Sequence, residues 1–133
     1  MHSPEPGMSP LGNLILQVIP MPKDTNANGD IFAGWLVKQM DLAASTTAGS
    51  ISEGRTATVA IERMEFLAPI RVGSRVGIYT KLQDVGHSSM KINVEVWCHY
   101  QNEVTPRKVT TAQFIFVAID EQGSIRKVPT HPS

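Results

Sequence analysis

Asn26-Ala27-Asn28-Gly29-Asp30-Ile31-Phe32-Ala33-Gly34-Trp35-Leu36-Val37-Lys38-Gln39-Met40-Asp41-Leu42-Ala43-Ala44 changes character partway along. It begins as a polar loop of Asn, Gly and Asp and becomes an apolar stretch with helical spacing. Leu36, Met40, Ala43 and Thr47 fall in one row, and Val37, Ala44 and Ala48 in a second row beside it. Asp41 sits in that second row, and between Lys38 and Glu53 it is the only charged side chain. A helix apolar almost all round is expected to be covered on most sides. An Asp within it is a poor helix former and costly to desolvate, so a partner, water or a chemical task has to account for it. Taken by itself, Asp41 reads either as a helix Asp reaching solvent or a nearby cation, or as a functional carboxylate.

Outward from this segment, the amino-terminal residues 1–12 hold Pro4, Pro6, Gly7, Pro10 and Gly12 and read as a flexible leader. Leu14 to Ile19 is a short strand closed by Pro20 and Pro22. Gly49 is a plausible stop for the helix, which spans about four turns. From Arg55 onward the pattern is β. Residues 56–67 start with Val59 and Ile61 on one face, but Met64 and Phe66 fall on the other, so the phase slips near Glu62-Arg63 as across a bulge. A strand through Val76, Ile78, Thr80 and Leu82 follows. Beyond the Asp84-to-His87 turn, Met90 to Tyr100 alternates as a strand with one buried face, Glu95 and Trp97 belonging to the other. Residues 101–108 form a polar loop, and Val109 to Ile119 is apolar on both faces, as in a central strand. One helix cannot cover a sheet twice. The economical fold is α+β, an antiparallel sheet curled around the helix, whose other face and edges seek a partner subunit.

The 133 residues are enough for one domain with a real core. Apolar content of 41% and charged content of 18% describe an ordinary globular chain. Twelve Lys and Arg against twelve Asp and Glu leave no general basic field, so nucleic acid is not an expected partner. No apolar run reaches membrane-spanning length, and no signal-like segment opens the chain. Cys98 stands alone, which removes an intrachain disulfide framework and fits a reducing, cytoplasmic setting.

Asp24-Thr25-Asn26-Ala27-Asn28-Gly29 matches the opening of a calcium loop, but the twelfth position is Trp35 instead of Glu, and two prolines disrupt the preceding helix. Either the loop satisfies its own backbone and caps the helix, or it presents the helix N-terminus to a ligand oxygen, with Ala33 and Gly34 permitting close approach. The four histidines are scattered and no metal site is expected. His87, Ser88 and Ser89 lack the surroundings of a nucleophile elbow and read as a turn. Cys98 alternates with core residues, and Trp35 and Trp97 read as packing.

The run Met21 to Leu36, followed by Gln39-Met40-Asp41, resembles the bacterial YciA-type acyl-CoA thioesterases of the hot-dog-fold superfamily. The likeness continues through Thr58 to Glu62, Phe66 to Ile70, Gly86 to Ile92, Val94 to Trp97 and Phe116 to Asp120, within a domain at 13–129 followed by a tail at 130–133. The resemblance implies the hot-dog fold and hydrolysis of acyl-CoA to free acid and coenzyme A, without cofactor. It implies that Asp41 is the essential carboxylate, that an amide at Ala33 or Gly34 polarises the carbonyl, and that Asp30 helps position water. It further implies substrate contacts from Asn26, Asn28, Ala33, Thr58, Arg126 and the Gly86-His87-Ser88-Ser89 turn. Ala33 departs from the pattern, standing in place of the first of two glycines, and Ala43-Ala44 replaces a second small pair.

Gly34 and Asp41 are seven residues apart, roughly 10 Å along a helix axis. A donor and a base serving one carbon must each lie within about 3 Å of the reacting atoms. Asp41 of one subunit is therefore expected to work with the helix N-terminus of another, in a homodimer of the kind usual in the superfamily, which the resembled branch commonly assembles as trimers of dimers. Arg55, Arg71, Lys91, Arg126 and Lys127 are candidates for holding phosphates. Two other functions fit the same fold: a non-catalytic acyl-CoA-binding or regulatory module, and an acyl-CoA hydratase or dehydratase. Phe32 and Ala33 stand where the latter would carry a His.

Overall fold

The computed structural model describes residues 9–130. Its elements are β1 (Asn13–Val18), a 3₁₀ turn (Pro22–Asp24), α1 (Ala33–Ser52), β2 (Thr56–Phe66), β3 (Arg75–Val85), β4 (Ser89–His99) and β5 (Arg107–Ala118). The strands form one antiparallel sheet in the order β1-β3-β4-β5-β2. The helix packs against all five, which is the α+β arrangement expected. Pro20 and the Pro22 turn end β1, and the Met21 N–H is taken by the Asp24 carboxylate at 2.9 Å.

The core lies between α1 and the inner face of the sheet. Leu36, Met40, Ala43, Ala44 and Ala48 of the helix meet Val76 and Ile78 of β3, Met90 to Val96 of β4, and Ala112, Phe114 and Phe116 of β5. Small residues on the helix let it approach the sheet while Phe114 and Phe116, both fully buried, fill the gap. Each such ring contributes about 1.5–3 kcal/mol through burial. The helix face carrying Lys38 and Leu42 is open, with Leu42 52% exposed, so the helix is covered on one side by its own chain instead of most sides.

A second helix expectation is also corrected. Gly49 does not end α1, which runs 20 residues to Ser52 and closes on Glu53 in the left-handed region at φ 55°. The Gly54 N–H returns to the Gly49 carbonyl at 3.3 Å, and from far along the chain Arg126 Nη1 donates to the Ser52 carbonyl at 2.9 Å, satisfying a second helix-end acceptor. Gly54 follows without a side chain because a Cβ there would meet Arg126 Nη2 at 2.6 Å.

The leader, as far as it is described, is docked. Gly12 adopts φ 88°, and a Cβ on it would lie 2.2 Å from the Thr80 carbonyl oxygen. The Leu11 N–H donates to Glu95 Oε1 at 3.1 Å, and Trp97 Nε1 donates to the same oxygen at 2.9 Å. Glu95 and Trp97 are consequently buried on the outer face of β4, where alternation alone predicted exposure. Residues 1–8 of the leader and 131–133 of the tail lie outside the described part.

The predicted phase slip in β2 is present. Its register against β5 shifts between Glu62 and Glu65, with Arg63 at φ 52°. A second shift, between Thr58 and Ala60, was not predicted. Across the two bulges the strand keeps Thr58, Ile61 and Phe66 on the helix side, opposite Phe116, Phe114 and Thr110.

Candidate active site

The loop before α1 is organised by Asn26. Its Oδ1 accepts from the Asn28 N–H at 2.9 Å and the Asp30 N–H at 3.1 Å, while Gly29 closes the turn at φ 82°. The Phe32 N–H is tied to the Asp24 carbonyl at 3.1 Å, and Phe32 itself occupies the position before the helix with no side-chain cap. Trp35 and Leu36 donate to the Phe32 carbonyl. The Ala33 and Gly34 N–H groups have no acceptor among the described residues, and both residues are exposed. An uncapped helix start presents free donors and the positive end of the helix dipole. A Cβ on Gly34 would meet nothing of this chain within 4 Å, so the space before it is open to something else.

Beside this helix start lies a pocket of about 450 Å³. Asp30, Ile31, Phe32, Ala33 and Leu36 form one side, and Phe66, Leu67, Ala68, Pro69, Ile70 and Thr110 the other. Asp30 and Ala33 are the sequence candidates that it brings together. The walls contributed by the end of β2 were not anticipated. Phe66 and Leu67, 57% and 49% exposed, are apolar side chains that alternation assigns to packing, and only their juxtaposition with the helix start makes them a wall.

Asp41 lies elsewhere, half-buried and outside that pocket. Thr58 Oγ1 donates to its Oδ1 at 2.8 Å. No cation pairs with it: the one ion pair among the described residues joins Arg107 to Glu103. The bulge after Thr58 sets that hydroxyl against the helix, so a substrate candidate is placed as the partner of the candidate base. The carboxylate thus has one oxygen held by Thr58, and Leu42, next to it on the helix, is exposed.

The remaining candidates separate. Gly86 and His87 line a hollow with Lys127, Val128 and Leu82, away from the helix start. Ser88 and Ser89 use their carbonyls to hold Ala118 and Gly86. Asn28 is exposed on the loop. Arg126 is committed to the framework, its guanidinium donating to the carbonyls of Ile119, Ser52 and Arg55. Arg55 likewise donates to the carbonyls of Asp120 and Glu121. Arg71 stacks on Tyr100, 5.0 Å from the ring centroid. Among the described residues no three His, Cys, Asp or Glu side chains gather as a metal site would require. Burial pushes the Cys98 thiol up to about 11, against an opposing hydrogen bond from Ser74, which makes it an inert core group.

A single long helix laid across a five-stranded antiparallel sheet is the arrangement of a hot-dog fold. Residues 28–105 match the model of the Thioesterase superfamily. The chain is 46% identical to an uncharacterized acyl-CoA thioester hydrolase of Haemophilus influenzae, over 92% of this chain and 82% of that one. It is 44% identical to the acyl-CoA thioester hydrolase YciA of Escherichia coli, over 90% and 93%. Among solved structures it is similar to HI0827, a hexameric broad specificity acyl-coenzyme A thioesterase, at 43% identity and a TM-score of 0.88, covering 98% of this chain and 90% of that one. That protein has also been solved as an aspartate-to-alanine mutant. The chain belongs to the hot-dog Thioesterase superfamily and, within it, to the family of the YciA acyl-CoA thioester hydrolases.

Proposed function

We propose that the chain hydrolyses acyl-CoA thioesters with Asp41 of one subunit as general base and the Ala33–Gly34 helix start of a second subunit as oxyanion donor. The observation that carries this reading is the pairing of two unfinished groups. One is a carboxylate without a cation, fixed by Thr58, and the other a helix start without a cap. They lie on one helix at opposite ends of two turns, so within a single chain they cannot converge on one carbon.

In this scheme the thioester carbonyl oxygen points at the free N–H groups, which stabilise the charge that develops on it by about 3 to 4 kcal/mol. Asp41 takes a proton from water as the water attacks the carbonyl carbon. Collapse of the tetrahedral species expels the coenzyme A thiolate, which is protonated, and leaves the free acid. Direct attack by Asp41, through a mixed anhydride, is the other route, and single-turnover hydrolysis in heavy-oxygen water separates them by where the label appears. Asp30, which lines the pocket, is assigned in this scheme to assisting water. The scheme draws on no metal or redox cofactor. A homodimer is its minimal unit and a hexamer built of three dimers its full assembly, supported by the hexameric state of the structural relative. A cytoplasmic setting fits the single buried thiol.

The test is thiol release over a panel of acyl-CoAs with the parent enzyme and Asp41→Ala. The substitution is expected to lower kcat at least ~100-fold while coenzyme A binding changes little. Near-normal turnover in the variant would remove Asp41 from the mechanism, and no turnover by the parent on any member would leave a binding module.

A further inference from the structure

The middle of β2 carries three charged side chains, Glu62, Arg63 and Glu65, and Arg63 is the only cation on the strand. All three are exposed, and none has a side-chain hydrogen bond or ion pair among the described residues. Glu62 and Glu65 lie opposite Gln113 and Thr111 on the outer face of the sheet, so β5 offers them no charge. Arg63 is also held at φ 52°, and among the described residues only Glu53 shares that left-handed region without being glycine. The conformation is unfavourable for a residue with a side chain, whereas glycine adopts it freely. A strained arginine between two unpaired glutamates, on a free sheet edge, calls for a reason outside its own chain.

Where a second chain would lie follows from the shared site, on which this inference rests. Thr58 marks the Asp41 end of β2 through its 2.8 Å hydrogen bond, and Phe66 marks the helix-start end, lining the pocket with Ala33. Bringing Asp41 of one subunit to the helix start of another sets Thr58 of each strand against Phe66 of its partner. Thr58, Glu62 and Phe66 face Phe116, Gln113 and Thr110 of β5, so Glu62 is midway, with one bulge on either side of it. Two such edges paired antiparallel about a twofold axis meet at Glu62. There Glu62 and Glu65 of both strands converge on one face, and like charges so placed oppose association. We propose that Arg63 keeps its left-handed conformation to pair with Glu62 and Glu65 of the partner subunit, offsetting that repulsion and holding the register in which Asp41 meets the second helix start. Arg63 is a positioning residue: it touches no substrate and acts through the placement of two strands. Charge pairs across an interface fix register and exclude misaligned partners more than they add affinity.

Crosslinking and charge reversal test this. Opposed residues at the axis lie about 5 Å apart between Cα atoms, within disulfide range. Under mild oxidant Glu62→Cys is expected to form a covalent dimer and Ala57→Cys none, the native Cys98 being buried. Arg63→Glu makes the strand centre wholly acidic, and Glu62→Lys with Glu65→Lys makes it wholly basic. Each chain alone is expected to raise the dissociation midpoint in dilution sedimentation at least ~tenfold, and an equimolar mixture to bring it back to the parental value. Arg63→Gly keeps the left-handed backbone and removes the charge, so it separates pairing from the bulge, and its midpoint is expected to rise roughly tenfold. A parental midpoint in Arg63→Gly, or a mixture no tighter than its components, would overturn the role of Arg63. Crosslinking of Ala57→Cys in place of Glu62→Cys would overturn the register. Both outcomes leave the hydrolase reading standing. Failure of the parent enzyme to release thiol from acyl-CoA would overturn that reading, while crosslink and mixture still decide this one.

Discussion

At the scale of single residues, Asp41 and Thr58 form the unit on which turnover depends. Thr58 does not touch substrate in this scheme; it positions the carboxylate by one hydrogen bond. Thr58→Val is expected to lower kcat roughly tenfold with KM nearly unchanged, a hydrogen bond to a charged group being worth about 1.5–3 kcal/mol. Thr58→Ser should restore it, and steady-state kinetics on one acyl-CoA decide the matter. Cys98 supplies a second residue-scale prediction. Its thiol, raised from an ordinary 9.0 to about 11 by burial, is expected to resist iodoacetamide at pH 8 until the protein is unfolded in urea. The linkage has a definite sign. Because the folded pKa is the higher one, the unfolded chain loses this proton first, and the contribution declines as pH rises from 9.0 toward 11. Urea midpoints should therefore fall less steeply over that window in Cys98→Ala. Asp41 was legible in the sequence because a lone charge in an apolar helix needs a reason. Phe66 and Leu67 were not, since two apolar residues at a strand end look like ordinary packing, and only the fold brings them beside the helix start.

At the scale of elements, α1 and the four later strands follow from periodicity, and so does the bulge at Glu62-Arg63, because Met64 and Phe66 break the phase set by Val59 and Ile61. The second bulge escaped because Thr58 to Ile61 reads as unbroken alternation over so short a span. The end of the helix escaped for a different reason. Its last carbonyl is satisfied by a guanidinium 74 positions away, information that no local window holds. Arg126→Gln is accordingly expected to destabilise the fold by about 2 kcal/mol, since it loses charged hydrogen bonds to helix-end, β2 and β5-end carbonyls. Urea unfolding followed by far-ultraviolet circular dichroism measures this. A loss of substrate affinity without loss of stability would instead return Arg126 to the binding role that the resemblance implied.

For the whole molecule, the described chain leaves its β2 edge unpaired and apolar, with Val59, Ile61 and Phe66 all more than 40% exposed. Edges of this kind invite pairing with a second copy. A shared site makes a sharp prediction. Gly34→Val should block the helix start without disturbing the fold, because a Cβ there meets nothing within 4 Å. Mixing it with Asp41→Ala, each inactive alone, and letting subunits reassort should restore about a quarter of parental activity, since half the dimers are hybrids carrying one intact site of two. Subunit-contained sites would restore nothing. The two bulges in β2 carry a last consequence, for anyone altering this strand. Each is one surplus residue against β5, and side-chain facing along a strand has only two values, so the surplus works like a parity bit. Deleting Val59 or Arg63 should remove a surplus and leave Ile61 and Phe66 facing as they do, opposite Phe114 and Thr110. Deleting a residue from the regular stretches should instead invert the side chains beyond it unless a bulge is given up to compensate. Tolerated deletions are therefore expected to cluster at the two bulges, a pattern readable by deep sequencing of a library selected for folding.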